Sequence, residues 1–417
     1  MPACPPYLRP LLALFASRGE RAYPVGGCVR DSLMGIPPHD WDVAVTTLPE
    51  TTVALCESAG YRTIPTGIKH GTITVLVPHS GDPADREGSY DLIECTTCRT
   101  EGSYTDGRHP DAVSFTGRIA DDLSRRDFTV NAMAFDVDPA AEGNDLAVLD
   151  LFGGQNDLRD GVIRAVGDPD TRFTEDALRL MRAVRFAVKL GFSIEENTRS
   201  AIVRCADGLA RISRERISEE FQRILVSSHP EAGVKMLDEL GLLPYVLLDG
   251  ISPCGMGRLS ALPADFALRM ACLQWGVEEE ALRRNLQGLR LSNAVRKDVL
   301  ALAESHSLSG EPTPQNARRW RHELGEVALR GVLLRLARGE DGEGFCGLAD
   351  LIRASEEKRE PVCLADLAIG GNDLLDLGFK PGKELRKALE GLLALVLEHP
   401  EKNISAELIA RAKMWKE

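Results

Sequence analysis

Up to about residue 165, short apolar runs rich in β-branched side chains, at 21–25, 41–45, 72–77 and 161–166, alternate with turns and helical stretches. This pattern predicts a mixed α/β region. Residues 90–97 read as a further strand. From Thr174 onward the apolar positions recur at helical spacing almost to the end of the chain, with breaks near Gly191, 227–230, 252–257, 309–314 and 370–371. This part reads as several small all-α units. No internal repeat, low-complexity tract or long linker interrupts the pattern.

A chain of 417 residues is long enough for two to four domains, at about 150 residues per domain. The hydrophobic fraction of 43% and mean hydropathy of −0.15 are ordinary for a water-soluble protein. No apolar run approaches the roughly 20 residues of a spanning helix. The N-terminus carries no secretory pattern, so a cytoplasmic location without disulfides is expected for the ten scattered cysteines. Cys95 and Cys98 form a CxxC. A structural zinc site needs a second ligand pair that the chain does not offer at suitable spacing, and residues three apart on a strand face opposite ways. The net charge of −13 argues against bulk electrostatic gripping of nucleic acid. Residues 164–223 nevertheless hold twelve Lys or Arg against ten Asp or Glu, which is +2 locally and leaves −15 for the rest.

Two short motifs carry candidate chemistry. After the first strand comes Gly26-Gly27-Cys28-Val29-Arg30-Asp31, opening a helical run. Glycines there let backbone N–H groups approach a phosphate, and Arg30 offers a bidentate clamp. Alone, the same residues are equally a tight strand-to-helix turn. Asp40-Trp41-Asp42 leads into the next strand, where residues two apart share a face, so both carboxylates can aim at one spot beside the glycines. Paired hard oxygen ligands suit Mg²⁺, and two such ions serve in-line nucleotidyl transfer. Alone, an Asp-x-Asp is also an ordinary surface or capping element.

Together and in order, these motifs resemble the head of the polymerase-β-type nucleotidyltransferases, specifically the bacterial CCA-adding enzyme and poly(A) polymerase family. Further segments agree: Arg125-Arg126-Asp127-Phe128-Thr129-Val130-Asn131-Ala132 resembles its ribose-recognition motif and Asp150-Leu151-Phe152-Gly153-Gly154 its head-to-neck element. Glu175-Asp176-Ala177-Leu178-Arg179 resembles its base-reading motif, and Arg211-Ile212-Ser213 with Glu215-Arg216-Ile217 its neck-stabilising one. The resemblance covers roughly the first 225 residues.

The resemblance implies an α+β polymerase-β-like nucleotidyltransferase head with a mixed sheet, followed by all-α neck, body and tail, here divided at 1–165, 166–245, 246–350 and 351–417. It implies that Asp40 and Asp42 hold Mg²⁺, that Gly27, Arg30 and Arg126 contact the incoming nucleotide, and that Asp176, Arg179, Arg182 and Arg185 line its pocket. Helical geometry puts Asp176, Arg179 and Arg182 on one ridge, with Arg185 half a turn away from Asp176 and equally suited to a phosphate contact or a structural salt bridge. Glu94 is either a third acidic group on the central strand or an edge carboxylate. Arg125 and Arg126 on their own read as a solvated pair, and Asp127 as a helix cap.

Within the family, residues 64–72 look like the tRNA nucleotidyltransferases. The stretch 100–113, with Gly102, Tyr104, Asp106, Gly107, Arg108 and Pro110, resembles the flexible loop of complete CCA-adding and A-adding enzymes. The implied activity is template-independent addition of C, C and A from CTP and ATP to the 3′ end of tRNA. The alternatives are an A-adding, CC-adding or poly(A)-adding enzyme, or a catalytically inactive RNA-binding protein. His39-Asp40 is the one His-Asp dipeptide, so a phosphohydrolase pair is absent. Residues 378–383 open an apolar helix, with Lys380 and Lys383 placed either for a tRNA phosphate or simply at a helix start.

Overall fold

The computed structural model describes residues 4–83, 85, 88–102, 113–137, 147–252 and 255–415. The chain divides into two compact units, one of residues 1–224 with 232–246 and the other of 225–231 with 247–417. In the first, strands β1 (Ala22–Pro24), β2 (Asp42–Val45), β3 (Arg62–Gly67), β4 (Thr72–Pro78) and β5 (Tyr90–Thr97) form one sheet in the order β1-β2-β5-β4-β3. β2 runs parallel to β5 and all other neighbours are antiparallel, so the sheet is mixed and β5 is its central strand.

Period-two alternation gives this sheet two unlike faces. Val43, Val45, Ile73, Val75, Val77, Ile93 and Cys95 bury one face against Leu11, Leu12 and Phe15 of helix α1 (Arg9–Ala16) and Leu55 and Cys56 of α3 (Pro49–Ser58). Pro49 presets the first turn of α3, and Glu50 suits the positive end of its dipole. Truncating the fully buried Phe15 to alanine should cost about 3–5 kcal/mol. On the other face Val25 and Ala44 pack with Cys98, Leu123 and Ala134. Cys95 and Cys98 are therefore free thiols in separate apolar clusters.

Between β1 and β2 lies α2 (Gly27–Leu33). After β5, β6 (Arg99–Glu101) pairs with β7 (Val113–Phe115); Tyr104, Asp106, Gly107, Arg108 and Pro110 of the family-like loop lie outside the described residues. Then come α4 (Ile119–Ser124), the antiparallel pair β8 (Met133–Asp136) and β9 (Ala147–Asp150), and α5 (Gly154–Asp160). Asp150 fixes the start of α5 by accepting from the N–H groups of Gly154 (2.8 Å) and Gln155 (2.9 Å). Gly154 is obligatory, because a Cβ there would stand 2.3 Å from the Thr129 carbonyl oxygen.

The strand expected at 161–166 shrinks to β10 (Val162–Ile163), paired in parallel with β11 (Ser193–Ile194). Helix α6 (Pro169–Glu175), capped by Asp168 accepting from Thr171 N–H, precedes α7 (Leu178–Leu190). Asp176 is extended (φ −141°, ψ 101°), so it belongs to no helix and the expected Asp176-to-Arg182 ridge starts only at Leu178. The cause is local: the Asp176 carboxylate accepts from Leu178 N–H at 3.0 Å, a side-chain turn that competes with helix. One side of α7 is buried through Leu180, Met181, Val184 and Ala187, and Gly191 at φ 70° ends it.

The second unit is helical in its described residues, with breaks where the sequence predicts them. Its buried Arg269 donates to the carbonyls of Leu225 (2.8 Å), Ser227 (2.7 Å) and Leu262 (2.9 Å), tying separate segments together. Near the C-terminus, helices Gly371–Asp376, Lys383–Glu398 and Ser405–Met414 share a core of Leu374, Phe379, Leu392, Leu393, Val396 and Leu408. Phe379 anchors the 378–383 turn from inside while Lys380 and Lys383 point to solvent. Among the described residues no helix is long and apolar enough to cross a membrane.

Candidate active site

In the first unit a cleft of about 530 Å³ opens where α2, the Arg125 to Asn131 segment and α7 meet the start of β2. Gly26 turns the chain from β1 into α2 at φ 77°, and a Cβ there would lie 2.5 Å from Arg126 Nη1. Glycine is thus required both by backbone conformation and by the approach of the arginine. Arg30 projects inward from α2, only 3% exposed, and donates through Nη1 to Asn131 Oδ1 (2.6 Å) and through Nε to Asp31 Oδ1 (2.8 Å).

Asp42 opens β2 on the same sheet face as Ala44, in register with Glu94 of β5. Its side chain reaches solvent at the cleft, yet the surrounding protein is dense. Burial therefore pushes its carboxyl above the usual range, and the negative charges of Glu94 and Asp40 add to that push against the opposing Arg126. Asp40 is positioned differently. It precedes the strand, is 80% exposed, hydrogen-bonds to His39 Nδ1 at 2.8 Å, and is not among the residues lining the cleft. The strand argument for aiming both carboxylates at one spot therefore applies to Asp42 alone, because regular pairing begins there.

Arg125 and Arg126 are not a solvated pair. Both reach back to Asp122 on α4, which is 1% exposed: Arg125 at 2.6 Å and Arg126 at 3.1 Å. The two cations outweigh the burial of Asp122 and hold its carboxyl below the usual range. Asp127 is not the cap of a helix but a buried hub. It accepts from Phe128 N–H (2.9 Å), from Asn131 Nδ2 (3.2 Å) and from Arg182 of α7 (2.6 Å), and despite burial these keep its carboxyl low.

The expected pocket residues of α7 and its approach share the cleft but make separate partnerships. Arg179 donates to Glu175 (2.6 Å) and to the carbonyls of Arg172 (3.0 Å) and Arg125 (3.2 Å). Asp176 pairs with Arg216 at 2.9 Å. Arg185 pairs with buried Glu220 at 2.5 Å and lies over the Phe186 ring at 4.1 Å, which makes it a salt-bridge residue within the cleft wall. Burial pulls its basicity down, only partly offset by Glu220.

Gly27, Arg30, Asp42, Arg126, Asp176, Arg179, Arg182 and Arg185 thus line one cavity, and Asp40 does not. Sequence reasoning did not single out Asp122, Asn131, Phe186, Lys189 or Arg216 as site residues. Asp122 carries a readable signal, three and four residues before the arginines on one helical turn. Arg216 and Asp176 are 40 residues apart, with no local pattern to join them. The cleft wall holds eight basic side chains (Arg30, Arg125, Arg126, Arg179, Arg182, Arg185, Lys189, Arg216) against three acidic ones (Asp42, Asp127, Asp176), and the four carboxylates paired to it from behind, Asp31, Asp122, Glu175 and Glu220, bring the balance to eight against seven. Such a concentration of cationic donors at one opening, inside a chain of net charge −13, suits a polyanion. Among the described residues no three His, Cys, Asp or Glu side chains are gathered as a ready metal cluster.

A mixed sheet carrying an acidic strand start beside a glycine turn, faced by an arginine-rich helix, defines a nucleotidyltransferase-type head. The family described as Poly A polymerase head domain matches residues 22–164, and that described as probable RNA and SrmB-binding site of polymerase A matches 191–251. The CCA-adding enzyme of Limosilactobacillus fermentum is 34% identical over 398 residues, covering 94% of this chain and 92% of its own. The crystal structure of the Bacillus stearothermophilus CCA-adding enzyme in complex with CTP is 30% identical, covers 99% of this chain and 98% of its own, and superposes with a TM-score of 0.77. The Thermotoga maritima CCA-adding enzyme complexed with tRNA shares the fold at 21% identity and a TM-score of 0.65. The chain belongs to the CCA-adding enzymes of the tRNA nucleotidyltransferase and poly(A) polymerase family.

Proposed function

We propose that this chain adds C, C and A, without a template, to the 3′ end of tRNA, taking the nucleotides from CTP and ATP and releasing pyrophosphate. The observation that carries the reading is the single cleft in which Asp42 stands among eight cationic side chains, in a chain similar over nearly its whole length to CCA-adding enzymes. The triphosphate is held by the cations of the cleft wall, Arg126 and Arg30 foremost, beside the backbone of Gly27. Asp176 and Arg179 read the base. Cytosine and adenine both present an amine donor next to a ring-nitrogen acceptor; a carboxylate takes the first and a guanidinium donates to the second. Guanine and uracil present the reverse order and meet mismatched groups at a cost of a few kcal/mol. The three bonds that Arg179 makes use three of its five N–H groups, leaving two for a base.

The reaction needs a divalent cation, which we assign as Mg²⁺ on Asp40 and Asp42. The fit rests on Asp42, whose carboxyl is raised first by burial and then by the like charges of Glu94 and Asp40, so a cation would offset the repulsive part of what raises it. Two carboxylates suffice, since Mg²⁺ completes its shell with waters and substrate phosphates. When bound, it activates the 3′ hydroxyl and neutralises the departing pyrophosphate. In this reading residues 1–165 are the catalytic head, 166–245 the base-reading neck, 246–350 the body and 351–417 a tRNA-holding tail with Lys380 and Lys383 on its surface.

The test is product length. The protein is incubated with tRNA ending before CCA, or after CC, and with CTP and ATP separately and together. Addition of CC with CTP alone and CCA with both is expected. Growth only from the CC end indicates an A-adding enzyme, arrest at CC a CC-adding one, and long A tracts a poly(A) polymerase.

A further inference from the structure

Three of the cleft's arginines crowd one aromatic ring. The guanidinium carbons of Arg30, Arg182 and Arg185 stand 5.4, 5.3 and 4.1 Å from the centroid of Phe186, which lines the same opening and is 6% exposed. Arg182 and Arg185 share α7 with the ring, whereas Arg30 reaches it from α2, so two elements of the cleft wall meet on it. The ring is itself held by the fully buried Phe128, edge to face, with centroids 5.8 Å apart and planes at 75°. Each guanidinium has a carboxylate of its own: Asp31 for Arg30 (2.6 Å), Asp127 for Arg182 (2.6 Å) and Glu220 for Arg185 (2.5 Å). Those pairs anchor the arginines one by one and do nothing to bring three like charges to one point. A phenyl ring does, because its faces carry the negative part of its quadrupole and attract guanidiniums within about 6 Å of the centroid. An aliphatic side chain of similar size would fill the space without that attraction.

We propose that Phe186 is a positioning residue for the triphosphate: its ring is the common platform that holds Arg30, Arg182 and Arg185 close enough together to meet one polyphosphate. The ring touches neither phosphate nor base in this scheme and acts only through the guanidiniums, and the proposal rests on the reading of the cleft as the triphosphate site. Since the base is read at Asp176 and Arg179, the platform governs how tightly any triphosphate binds and not which one is chosen.

The experiment replaces Phe186, in the full-length protein, by phenylalanine analogues carrying one, two or three ring fluorines, which nearly keep its shape while stripping negative charge from its faces step by step. Phe186→Leu and Arg126→Ala are made beside them, and thermal melts establish folding. CTP, GTP and inorganic tripolyphosphate are then titrated into each protein. The Kd for CTP and for tripolyphosphate is expected to rise with every fluorine, reaching at least about fivefold with three, and at least as far in Phe186→Leu. In single-nucleotide addition the KM for CTP should rise in step while kcat stays within about twofold, and the ratio of CTP to GTP affinity should keep its wild-type value. A merely packing role predicts no trend along the fluorine series, because the volume is nearly constant. If the folded fluorinated proteins bind tripolyphosphate like wild type while Arg126→Ala weakens it, the platform is wrong and the triphosphate site stands. If Arg126→Ala leaves tripolyphosphate binding unchanged, the triphosphate reading fails, and the platform with it. A narrowed gap between CTP and GTP with tripolyphosphate unaffected also overturns the proposal, because Phe186 then acts on the base. Should Phe186→Leu not fold, the fluorinated series decides by itself.

Discussion

Buried arginine appears in both units, and the two uses differ. In the second unit, Arg269 gives three hydrogen bonds to main-chain carbonyls, and Arg318 gives two, to Leu397 and Glu398, beside its ion pair with Glu360. These guanidiniums satisfy acceptors that would otherwise be stranded at helix ends. In the cleft of the first unit seven arginines converge on one opening, each held by a carboxylate: Asp31, Asp122, Asp127, Glu175, Asp176 or Glu220. Fold stability does not call for seven guanidiniums around one opening, since like charges at close quarters repel. Their convergence suits a ligand that arrives carrying negative charge. The comparison separates arginine as a structural tie from arginine as part of a site, and it can be broken residue by residue.

The largest effect is expected at Asp42. Asp42→Ala should lower nucleotide addition at least about a thousandfold, because metal-supplied charge stabilisation is worth several kcal/mol. The metal-free fold should be no less stable, since the carboxyl of Asp42 is raised in the folded state and its ionised form is a burden there. Rate assays with thermal melts check both, and near-normal turnover in a folded variant refutes the assignment. The same shift places the acid limb of the wild-type rate above the ordinary Asp range near 3.9, and raising the Mg²⁺ concentration should move it down as the cation competes with the proton.

Next is Arg269→Met, which strands buried carbonyls in the second unit. A loss of about 3 kcal/mol in unfolding free energy is expected, with nucleotide binding unchanged. Weaker CTP binding in the folded variant would blur the distinction drawn here.

Asp127→Asn belongs to both categories. Its carboxyl is held low by Arg182 and Asn131, so its contribution is present above the unfolded Asp value near 3.9 and lost as pH falls through the lower folded value. We expect the variant to be about 2 kcal/mol less stable near neutrality. The gap from wild type should close below about pH 3.9, and denaturant melts across pH measure it. A gap that persists unchanged at pH 2 contradicts the ion pair as its source.

Much of this organisation is legible in the chain. The alternating runs mark the sheet, Tyr90–Thr97 is found as read, and the breaks at Gly191 and near 370 fall where Gly turns end or start helices. The glycine turn, Asp42, the Arg125–Asn131 segment and the Asp176–Arg179 segment line one cleft because each lies at a strand or helix end, where local rules hold, whereas Asp40 and the Asp150–Gly154 motif do not line it. What escaped depends on tertiary pairing. Asp127 with Arg182, Arg185 with Glu220 and Asp176 with Arg216 are 55, 35 and 40 residues apart, and no periodicity joins them. Helical spacing predicts a helix through Asp176, but its carboxylate's bond to Leu178 N–H, which a propensity argument cannot weigh, keeps it extended. The Asp-x-Asp spacing predicts a shared strand face for Asp40 and Asp42, but the strand begins only at Asp42.

The smallest effect is expected in the second unit's exposed turn. Replacing Lys380 and Lys383 together by Glu should weaken tRNA binding severalfold and reduce its salt slope by about 1–2, without touching single-nucleotide affinity. Unchanged tRNA affinity and slope would remove those lysines from the RNA surface.

The central claim is that the cationic cleft selects nucleotides by their base edge, and equilibrium binding tests it most directly. Titrating the four nucleoside triphosphates into full-length protein with Mg²⁺, without tRNA, should give binding of CTP and ATP at least about tenfold tighter than GTP and UTP. Arg179→Ala should narrow that gap while the triphosphate still binds. Equal affinity for all four in the wild type, or a gap unchanged in folded Arg179→Ala, would contradict the account.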